Sequence, residues 1–323
     1  MSMKQRVSPH STAVLAVLAG STLFGTSGVA QALGPGASPS AVGAARVLVG
    51  GLFLVCLAVY QRNRFTVARR FPGTTVLLGA SVAVYQACYF SGISRVGVAI
   101  GSIVTVATVP IATGVVAYLL RKEKPTGRWY VATVLAIAGL IASSGVAGEA
   151  KADILGFVLC LTAGSSVSLY TVLSRELLDA GAPVTEVTTI AVALSGALLL
   201  PVLLVSGPAW LVTPSGALMA LYLGLFTSAL AFWLNARGLR KVPATAVATL
   251  NLAEPLAAVV LAFAVLGERP SAMQVVGVMA IFAGLLILTR QPRNAVVEDG
   301  SETRSGAISP ETGGSTLERH TAV

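Results

Sequence analysis

The stretches Val109–Pro125, VPIATGVVAYLLRKEKP, and Glu254–Pro270, EPLAAVVLAFAVLGERP, are two copies of one pattern. At a constant offset of 145 residues, 79–141 aligns with 224–286 without a gap. Residues that rarely replace one another in apolar sequence coincide: Gly79 with Gly224, Arg95 with Arg240, Pro110 with Pro255, Glu123 with Glu268, and Pro125 with Pro270. The chain is therefore an internal duplication. An odd number of membrane spans in each copy would invert the second copy relative to the first, which is a transporter architecture.

The composition is that of a membrane protein. Hydrophobic residues make up 55% of the chain and charged residues 11%, with a mean hydropathy of +0.82, whereas soluble domains contain about 25% charged residues. Apolar runs recur that are long enough, at about 1.5 Å per residue, to cross about 30 Å of hydrocarbon. We predict an all-α integral membrane protein with ten transmembrane helices, built as two inverted five-helix repeats. The predicted spans are 12–33, 39–60, 73–92, 96–120, 129–147, 154–173, 184–205, 216–236, 243–266 and 271–289.

The net charge of +9 does not indicate a nucleic-acid partner, because the cations lie at the span ends rather than on one soluble face. Sixteen of the 22 Lys and Arg residues fall in the connections of one side, against Arg95, Lys151 and Arg269 on the other. Cytoplasmic connections carry an excess of Lys and Arg. Both termini are therefore predicted to be cytosolic, in a multi-pass protein of the cytoplasmic membrane.

The ends and the rare residue types have simple interpretations. Ala30-Gln31-Ala32 could mark a cleaved signal peptide, but cleavage would remove the span that matches span six. Residues 291–323 are polar and are predicted to form a disordered cytosolic tail. The only histidines, His10 and His320, lie outside the spans, and the three cysteines show no paired spacing. We expect no metal site, no cofactor and no catalytic cluster.

Pro110 and Pro255 lie at matching positions near the middle of spans four and nine. Each removes a backbone hydrogen bond, and paired helix breaks are a pointer to a transporter binding site. Glu254 lies about 15 Å into span nine, where a charged carboxylate costs about 2.5–3.5 kcal/mol. It is expected to be protonated, paired or facing water, with Asn251 on nearly the same helix face. The alternative is that Glu254 only bonds backbone groups freed by the kink.

Further substrate-pathway candidates are a cation and two sets of polar or aromatic residues. Arg46 lies about 10 Å into span two, where it either contacts an anionic group or snorkels to the interface as a structural anchor. The others lie on small and polar stripes, which also occur where helices merely pack closely. These candidates are Ser21, Tyr85, Tyr89, Thr105, Thr108, Ser166, Tyr170 and Trp233.

Leu250–Leu256, Leu266–Pro270, Gly277 and the pair Ala283-Gly284 resemble the second-half signature of the ten-helix drug/metabolite transporter superfamily, EamA type. Arg46 after Pro39 matches the arginine usual in that family's second helix. The first half departs from the pattern, with Arg121-Lys122-Glu123-Lys124-Pro125 where a Leu-Gly-Glu-Arg type turn is usual. The resemblance implies a secondary carrier that often exports amino acids, related metabolites or toxic compounds, with a cavity lined by helices 1, 3, 4, 6, 8 and 9.

The resulting domain prediction is a cytosolic N-terminus at 1–11, EamA-like repeats at 12–147 and 154–289, and the tail at 291–323. The leading hypothesis is export of a small organic solute by alternating access, with the proton as a candidate coupling ion and the bilayer as solvent. No Gly-rich nucleotide-binding loop is present, so direct ATP drive is not expected. The alternatives are a passive facilitator, which shows no counterflow, and a non-transporting receptor, which would need its tail. An enzyme is least favoured.

The predicted topology can be tested by cysteine labelling in a chain that lacks Cys56, Cys88 and Cys160. A cysteine at Gly207 should react with an impermeant reagent from outside, and a cysteine at Asn63 only from inside, because the cation-rich connections are cytosolic. The reverse pattern would overturn the assignment.

Overall fold

The computed structural model of the protein describes residues 9–143, 153–266 and 271–289. All regular structure in these ranges is helical and none of it is β-strand, so the all-α prediction is confirmed there. The predicted tail, 291–323, and residues 1–8 of the predicted N-terminal segment lie outside the described residues. The α-helices are α1 Pro9–Ala32, α2 Pro39–Tyr60, α3 Thr66–Arg70, α4 Pro72–Val96, α5 Val98–Arg121, α6 Gly127–Ser143, α7 Ile154–Asp179, α8 Val184–Val205, α9 Pro214–Tyr222, α10 Ala231–Leu239, α11 Ala244–Leu250, α12 Ala253–Leu266 and α13 Ala272–Thr289.

Eight helical stretches among the described residues are long and apolar enough to cross a membrane. They contain α1, α2, α4, α5, α7, α8, the run from α9 to α10, and the run from α11 into α12. The shorter apolar helices Gly127–Ala142 and Ala272–Leu288 lie where the sequence predicts spans five and ten. At 1.5 Å per residue these two cover only about 24–26 Å, and the predicted fifth span continues to 147, beyond the described residues. The ten-span count stays a prediction.

The run from α9 to α10 is continuous but is not α-helical throughout. Its middle, Leu223–Leu230, is π-helical, and the run is preceded by a 3₁₀ turn at Pro208–Val212. A π segment is wider than an α-helix and is frequently found at functional sites. Here the segment packs on α2, where a Cβ on Gly50 would lie 2.6 Å from the Gly224 carbonyl oxygen. The sequence gives no signal for this change of helix type.

The helix of span nine is interrupted just before Pro255, as the sequence predicts. Helix α11 ends at Leu250 and α12 begins at Ala253. At the interruption, the backbone N–H of Glu254 donates to the Asn251 carbonyl at 2.9 Å, a tighter bond than the α-helical pattern. Glu254 is thereby placed in the first turn of α12.

The symmetric break expected at Pro110 is absent, and that expectation was wrong. Helix α5 runs through Pro110 without interruption. The hydroxyls of Thr113 and Ser168 donate to the Val109 carbonyl, on the residue before the proline, at 2.7 and 2.9 Å. The Ser168 bond ties α5 to α7 beside the proline, and loss of one backbone bond can kink a membrane helix without ending it. The two halves therefore differ at this point.

A buried acid holds the short helix α3, which the sequence does not predict. Glu186, in the first turn of α8, is 1% exposed. Its Oε1 accepts the backbone N–H of Ala68 at 2.7 Å. Since no side chain of α3 itself caps its N-terminus, the acid from α8 fixes the connection between α2 and α4.

The main helix pairs join the first half of the sequence to the second. Helix α7 packs on α4 and α5, and α1 packs on α10 and α12. Helix α2 packs on α8, and α6 on α13. If each helix is replaced by its counterpart in the other half, the packing of α7 on α4 and α5 becomes the packing of α1 on α10 and α12. The pairs α2–α8 and α6–α13 each become themselves. Small residues permit close approach, as at Gly51, where a Cβ would lie 2.6 Å from the Ala193 Cα.

Gly51→Ala is expected to destabilise the protein, whereas Gly28→Ala is not. The added methyl group at Gly51 meets backbone of α8, and overpacking of this kind costs about 1–3 kcal/mol. Gly28 lies inside α1 with nothing within 4 Å of a built Cβ, so alanine there should be neutral or gain about 0.5–1 kcal/mol. Unfolding of the two purified variants in detergent measures the difference. Equal loss in both would contradict the close α2–α8 contact.

Candidate functional site

A cavity lies between the two halves of the duplicated sequence. Side chains from α1, α2, α4, α5, α7, α10, α11 and α12 line it. Its volume of about 100 Å³ exceeds the room that a single water needs, so it can hold several waters or a small solute. The set of helices matches the one implied by the family resemblance, with α2 in addition through Arg46.

Two groups of opposite charge face this cavity, Arg46 from α2 and Glu254 from α12. None of the ion pairs in the described part of the chain includes either of them. The Nε atom of Arg46 is buried and has no hydrogen-bond partner there. Glu254 lies at the N-terminal end of α12, where the helix dipole favours a carboxylate. The cavity therefore presents a cation and an acid that are available to a ligand.

Two amide side chains add directional hydrogen-bonding groups to the cavity wall. Asn251 lies at the helix interruption, and the Ser21 hydroxyl of α1 donates to its Oδ1 at 2.7 Å. This bond leaves the Asn251 NH₂ group free to donate elsewhere. Asn235 of α10 is 3% exposed, and its Oδ1 is buried without a partner in the described structure. An unsatisfied buried acceptor is costly unless a ligand or water completes it.

Aromatic rings form the apolar part of the wall. Phe232 makes edge contacts with Phe24 and with Tyr170, each with the ring centroids 5.3 Å apart. Tyr85 also lines the cavity, and Tyr89 packs behind it at 5.8 Å between centroids. The Tyr89 hydroxyl lies 2.8 Å from the Ser102 hydroxyl, which fixes that ring. Apolar walls with a few placed polar groups are typical of small-molecule sites.

Comparison with known proteins identifies the family to which this helical architecture belongs. The EamA-like transporter family matches the chain twice, at residues 11–145 and 154–290. The chain belongs to this family. The two matches coincide with the two halves of the duplication, and the family is one of transporters within the drug/metabolite transporter superfamily. The protein is thus a membrane transporter, as the resemblance implied.

Similar proteins agree with the family assignment. The uncharacterized transporter YwfM of Bacillus subtilis (strain 168) is 34% identical over 280 residues, which cover 86% of this chain and 94% of that protein. The uncharacterized transporter YetK of the same strain is 24% identical over 251 residues, covering 73% and 75%. A solved crystal structure superposes with a TM-score of 0.75 at 19% identity, covering 86% of this chain and 97% of the other, and shows the fold alone.

Six of the residues predicted for this EamA-family transporter line the cavity together: Arg46, Tyr85, Thr105, Tyr170, Asn251 and Glu254. Four others lie beside it. Ser21 and Tyr89 contact lining residues, as described above. Pro110 and Pro255 follow Val109 and Glu254, which both line it.

Three predicted residues of the transporter lie away from the cavity. Thr108 donates to the Val104 carbonyl at 2.6 Å, and its Cβ lies where Gly164 of α7 comes closest. Ser166 lines a separate outer groove and donates to the Thr162 carbonyl at 2.8 Å. Trp233 stacks under the Arg237 guanidinium at 5.3 Å. The lining residues of α7 are Val167, Tyr170 and Thr171, and at about 100° per residue their mean direction lies about 90° around the helix from Ser166. Tyr170 is at the edge of this face, so a residue that shares its stripe can still miss the cavity.

Sequence reasoning missed several lining residues of this transporter, notably Phe24, Phe232 and Asn235. Asn235 had a usable signal, since it is an amide inside an apolar span, as Asn251 is. The two phenylalanines had none, because a phenylalanine facing lipid and one facing a cavity look alike in sequence. Within the described residues, no cluster of His, Cys, Asp and Glu is placed to hold a metal ion.

Proposed function

We propose that this EamA-family protein is a secondary transporter that exports a small zwitterionic organic solute, such as an amino acid, across the cytoplasmic membrane by alternating access. The observation that carries the proposal is the pair Arg46 and Glu254, two opposite charges that face one cavity without pairing with any other charge. Charges kept inside a membrane protein without a partner usually serve a substrate or ion. A ligand with both charges would neutralise both groups at once.

The chemistry of the wall supports an amino-acid-like solute. The planar guanidinium of Arg46 suits bidentate binding of a carboxylate. Glu254 suits an ammonium group, and the free NH₂ of Asn251 suits a carbonyl or carboxylate oxygen. The edge contacts of Phe24 and Phe232 leave an apolar surface for a side chain. The printed names of the relatives say transporter and specify no solute.

The arrangement of the helices supports alternating access rather than a fixed pore. The cavity lies where first-half and second-half helices pair, and exchange of the halves maps the helix pairs onto one another. This is the relation expected of inverted repeats, whose rocking exposes a central site to each side in turn. The interruption at Asn251 provides the discontinuous helix that such sites use. The predicted orientation, with both termini cytosolic, rests on the distribution of Lys and Arg.

Glu254 also supplies a means of coupling export to protons. A protonated carboxyl group cannot pair with an ammonium group, so proton and solute compete for the same side chain. If the site changes sides only when it holds either a proton or the solute, each full cycle moves a proton inward and a solute outward. Since the sequence contains no nucleotide-binding loop, a proton gradient is the energy source that the site itself favours.

The solute class can be tested by counterflow in proteoliposomes with a matched set of competitors. An amino acid should compete, while the amine without its carboxylate and the 2-oxo acid without its amino group should each be about tenfold weaker or worse. Hydrogen bonds to charged groups contribute about 1.5–3 kcal/mol, and about 1.4 kcal/mol is tenfold. In Arg46→Gln the amino acid should lose its advantage over the amine. Arg95→Gln, which removes a cation outside the cavity, should keep it.

Equal competition by all three compounds would reject the zwitterion. Solute flux that neither saturates nor shows counterflow would indicate a passive facilitator instead. If the amino acid loses its advantage over the amine in Arg95→Gln as well as in Arg46→Gln, removal of any cation has this effect and Arg46 is not the carboxylate site.

Proton coupling predicts a specific defect in Glu254→Gln. This variant keeps a polar side chain of the same size but cannot exchange a proton, so an imposed pH gradient should no longer accelerate transport. Counterflow at saturating solute should persist, with a weaker apparent affinity and no pH dependence. Glu186→Gln is the matched control, since Glu186 is a buried acid whose bond to Ala68 glutamine can replace. Gradient-driven transport that survives in Glu254→Gln would leave Glu254 as a structural residue.

A further inference from the structure

An ionic cluster lies beyond the cavity, at the end of the bundle predicted to be cytosolic. It consists of Arg121 at the end of α5, Glu123, and Arg175 and Asp179 near the end of α7. Arg121 Nε lies 2.7 Å from Glu123 Oε1, and the same guanidinium reaches the Asp179 carboxylate. Arg175 Nε lies 3.0 Å from Asp179. The cluster therefore fastens the ends of α5 and α7 together.

Arg175 also fastens α7 to the opposite wall of the cavity. Its guanidinium donates to the carbonyl of Leu239, the last residue of α10, and to that of Val242 at 3.1 Å. These carbonyls belong to the segment that leads from α10 to α11. Helix α7 packs mainly on α4 and α5 and only slightly on α10 and α11, so the Arg175 bonds add a polar connection across the end of the cavity. Charge-assisted bonds of this kind are about twice as strong as neutral ones.

The position of Arg175 relative to the cavity is that of a closing group. Thr171, four residues before Arg175, lines the cavity, and so does Asn235, four residues before Leu239. Arg175 and the Leu239 carbonyl that it holds therefore lie about 6 Å along their helices beyond the lining residues Thr171 and Asn235. The Arg175 and Arg121 side chains are each only 20% exposed. A solute leaving the cavity between α7 and α10 would have to pass through these bonds.

The opposite end of the bundle has no equivalent cluster in the described residues. At the offset of 145, the counterparts of Arg175, Asp179 and Arg121 are Ala30, Gly34 and Leu266. The ion pair found at that end, Arg95 with Asp153 at 3.2 Å, joins α4 to α7, which pack together without it. The Gly156 amide and the Arg95 guanidinium hold the pKa of Asp153 below its usual range. This exposed pair does not cross between α1 and α12.

We propose that the ionic cluster is a gate that closes the central cavity toward the cytosol, with Arg175 as the residue that holds it shut. The inference rests on the alternating-access function proposed above. It follows that the cycle breaks the Arg175 bonds each time the cavity opens inward.

Access of a thiol reagent to the cavity tests the gate without requiring transport. The reporter is Thr171→Cys in a chain whose Cys56, Cys88 and Cys160 are replaced by alanine. An impermeant methanethiosulfonate is applied to the cytosolic face of inside-out vesicles, with no solute added. Arg175→Gln and Asp179→Asn should each raise the labelling rate about tenfold or more, as expected when a closed state loses a charge-assisted interaction. Arg237→Gln, at the same end but outside the cluster, should leave the rate within about twofold.

The outcomes separate the gate from the proposed function. An unchanged rate in Arg175→Gln and Asp179→Asn, with the parent protein active in counterflow, overturns the gate and leaves the transport proposal intact. A raised rate in a protein that shows no counterflow supports the gate and rejects the transport proposal. A rate raised equally in Arg237→Gln overturns the gate, because general loosening of this end would then explain the result. Asp179→Asn keeps the Arg175 side chain, so it decides the matter if Arg175→Gln does not accumulate.

Discussion

Pro255 has no backbone N–H to donate, and the arrangement of the central site depends on the helix interruption that precedes it. In hydrocarbon every backbone polar group needs a partner within the protein. The chain meets this requirement with a tight bond from Glu254 to Asn251. The interruption places Glu254 at the start of a new helix, and Ser21 holds Asn251 from α1. One missing donor thus fixes an acid, an amide and the contact between two helices at the cavity.

The duplication explains the scaffold and its later divergence explains the chemistry. Helix pairs map onto one another when the halves are exchanged, which is how a chain can build one cavity from two similar units. The charged groups break this relation, since Glu254 is matched by Val109 and Arg46 by Ala191. A site with one cation and one acid suits a ligand whose two ends differ. Two identical halves would present the same groups to both ends of such a ligand.

Hydropathy predicted the all-helical fold and most spans because the requirement for about 20 apolar residues leaves few alternatives. The break at Pro255 was predictable because a proline has no backbone N–H to donate. Pro110 was misjudged, since a helix can stay continuous with one backbone bond missing where a neighbouring helix packs beside it, as α7 does through Ser168. Tertiary partners of this kind have no local signal.

The candidate site was only partly predictable. Charged or amide residues inside an apolar span stand out, and Arg46, Asn251 and Glu254 do lie together. Residues chosen for regular spacing were less well placed, because Ser166 turns away from the face that Tyr170 presents. The ionic cluster was visible in sequence only as an excess of cations at span ends, and its bonds to the Leu239 and Val242 carbonyls depend on the fold.

We expect the solute to bind between Arg46 and Glu254, in the cavity shared by the two halves. The most direct measurement is an experimental structure with the transported solute bound. The anionic group of the solute should lie within hydrogen-bond distance of the Arg46 guanidinium, and its cationic group should lie at the Glu254 carboxylate. A solute bound elsewhere, or Arg46 and Glu254 paired with each other while the solute is present, would contradict it.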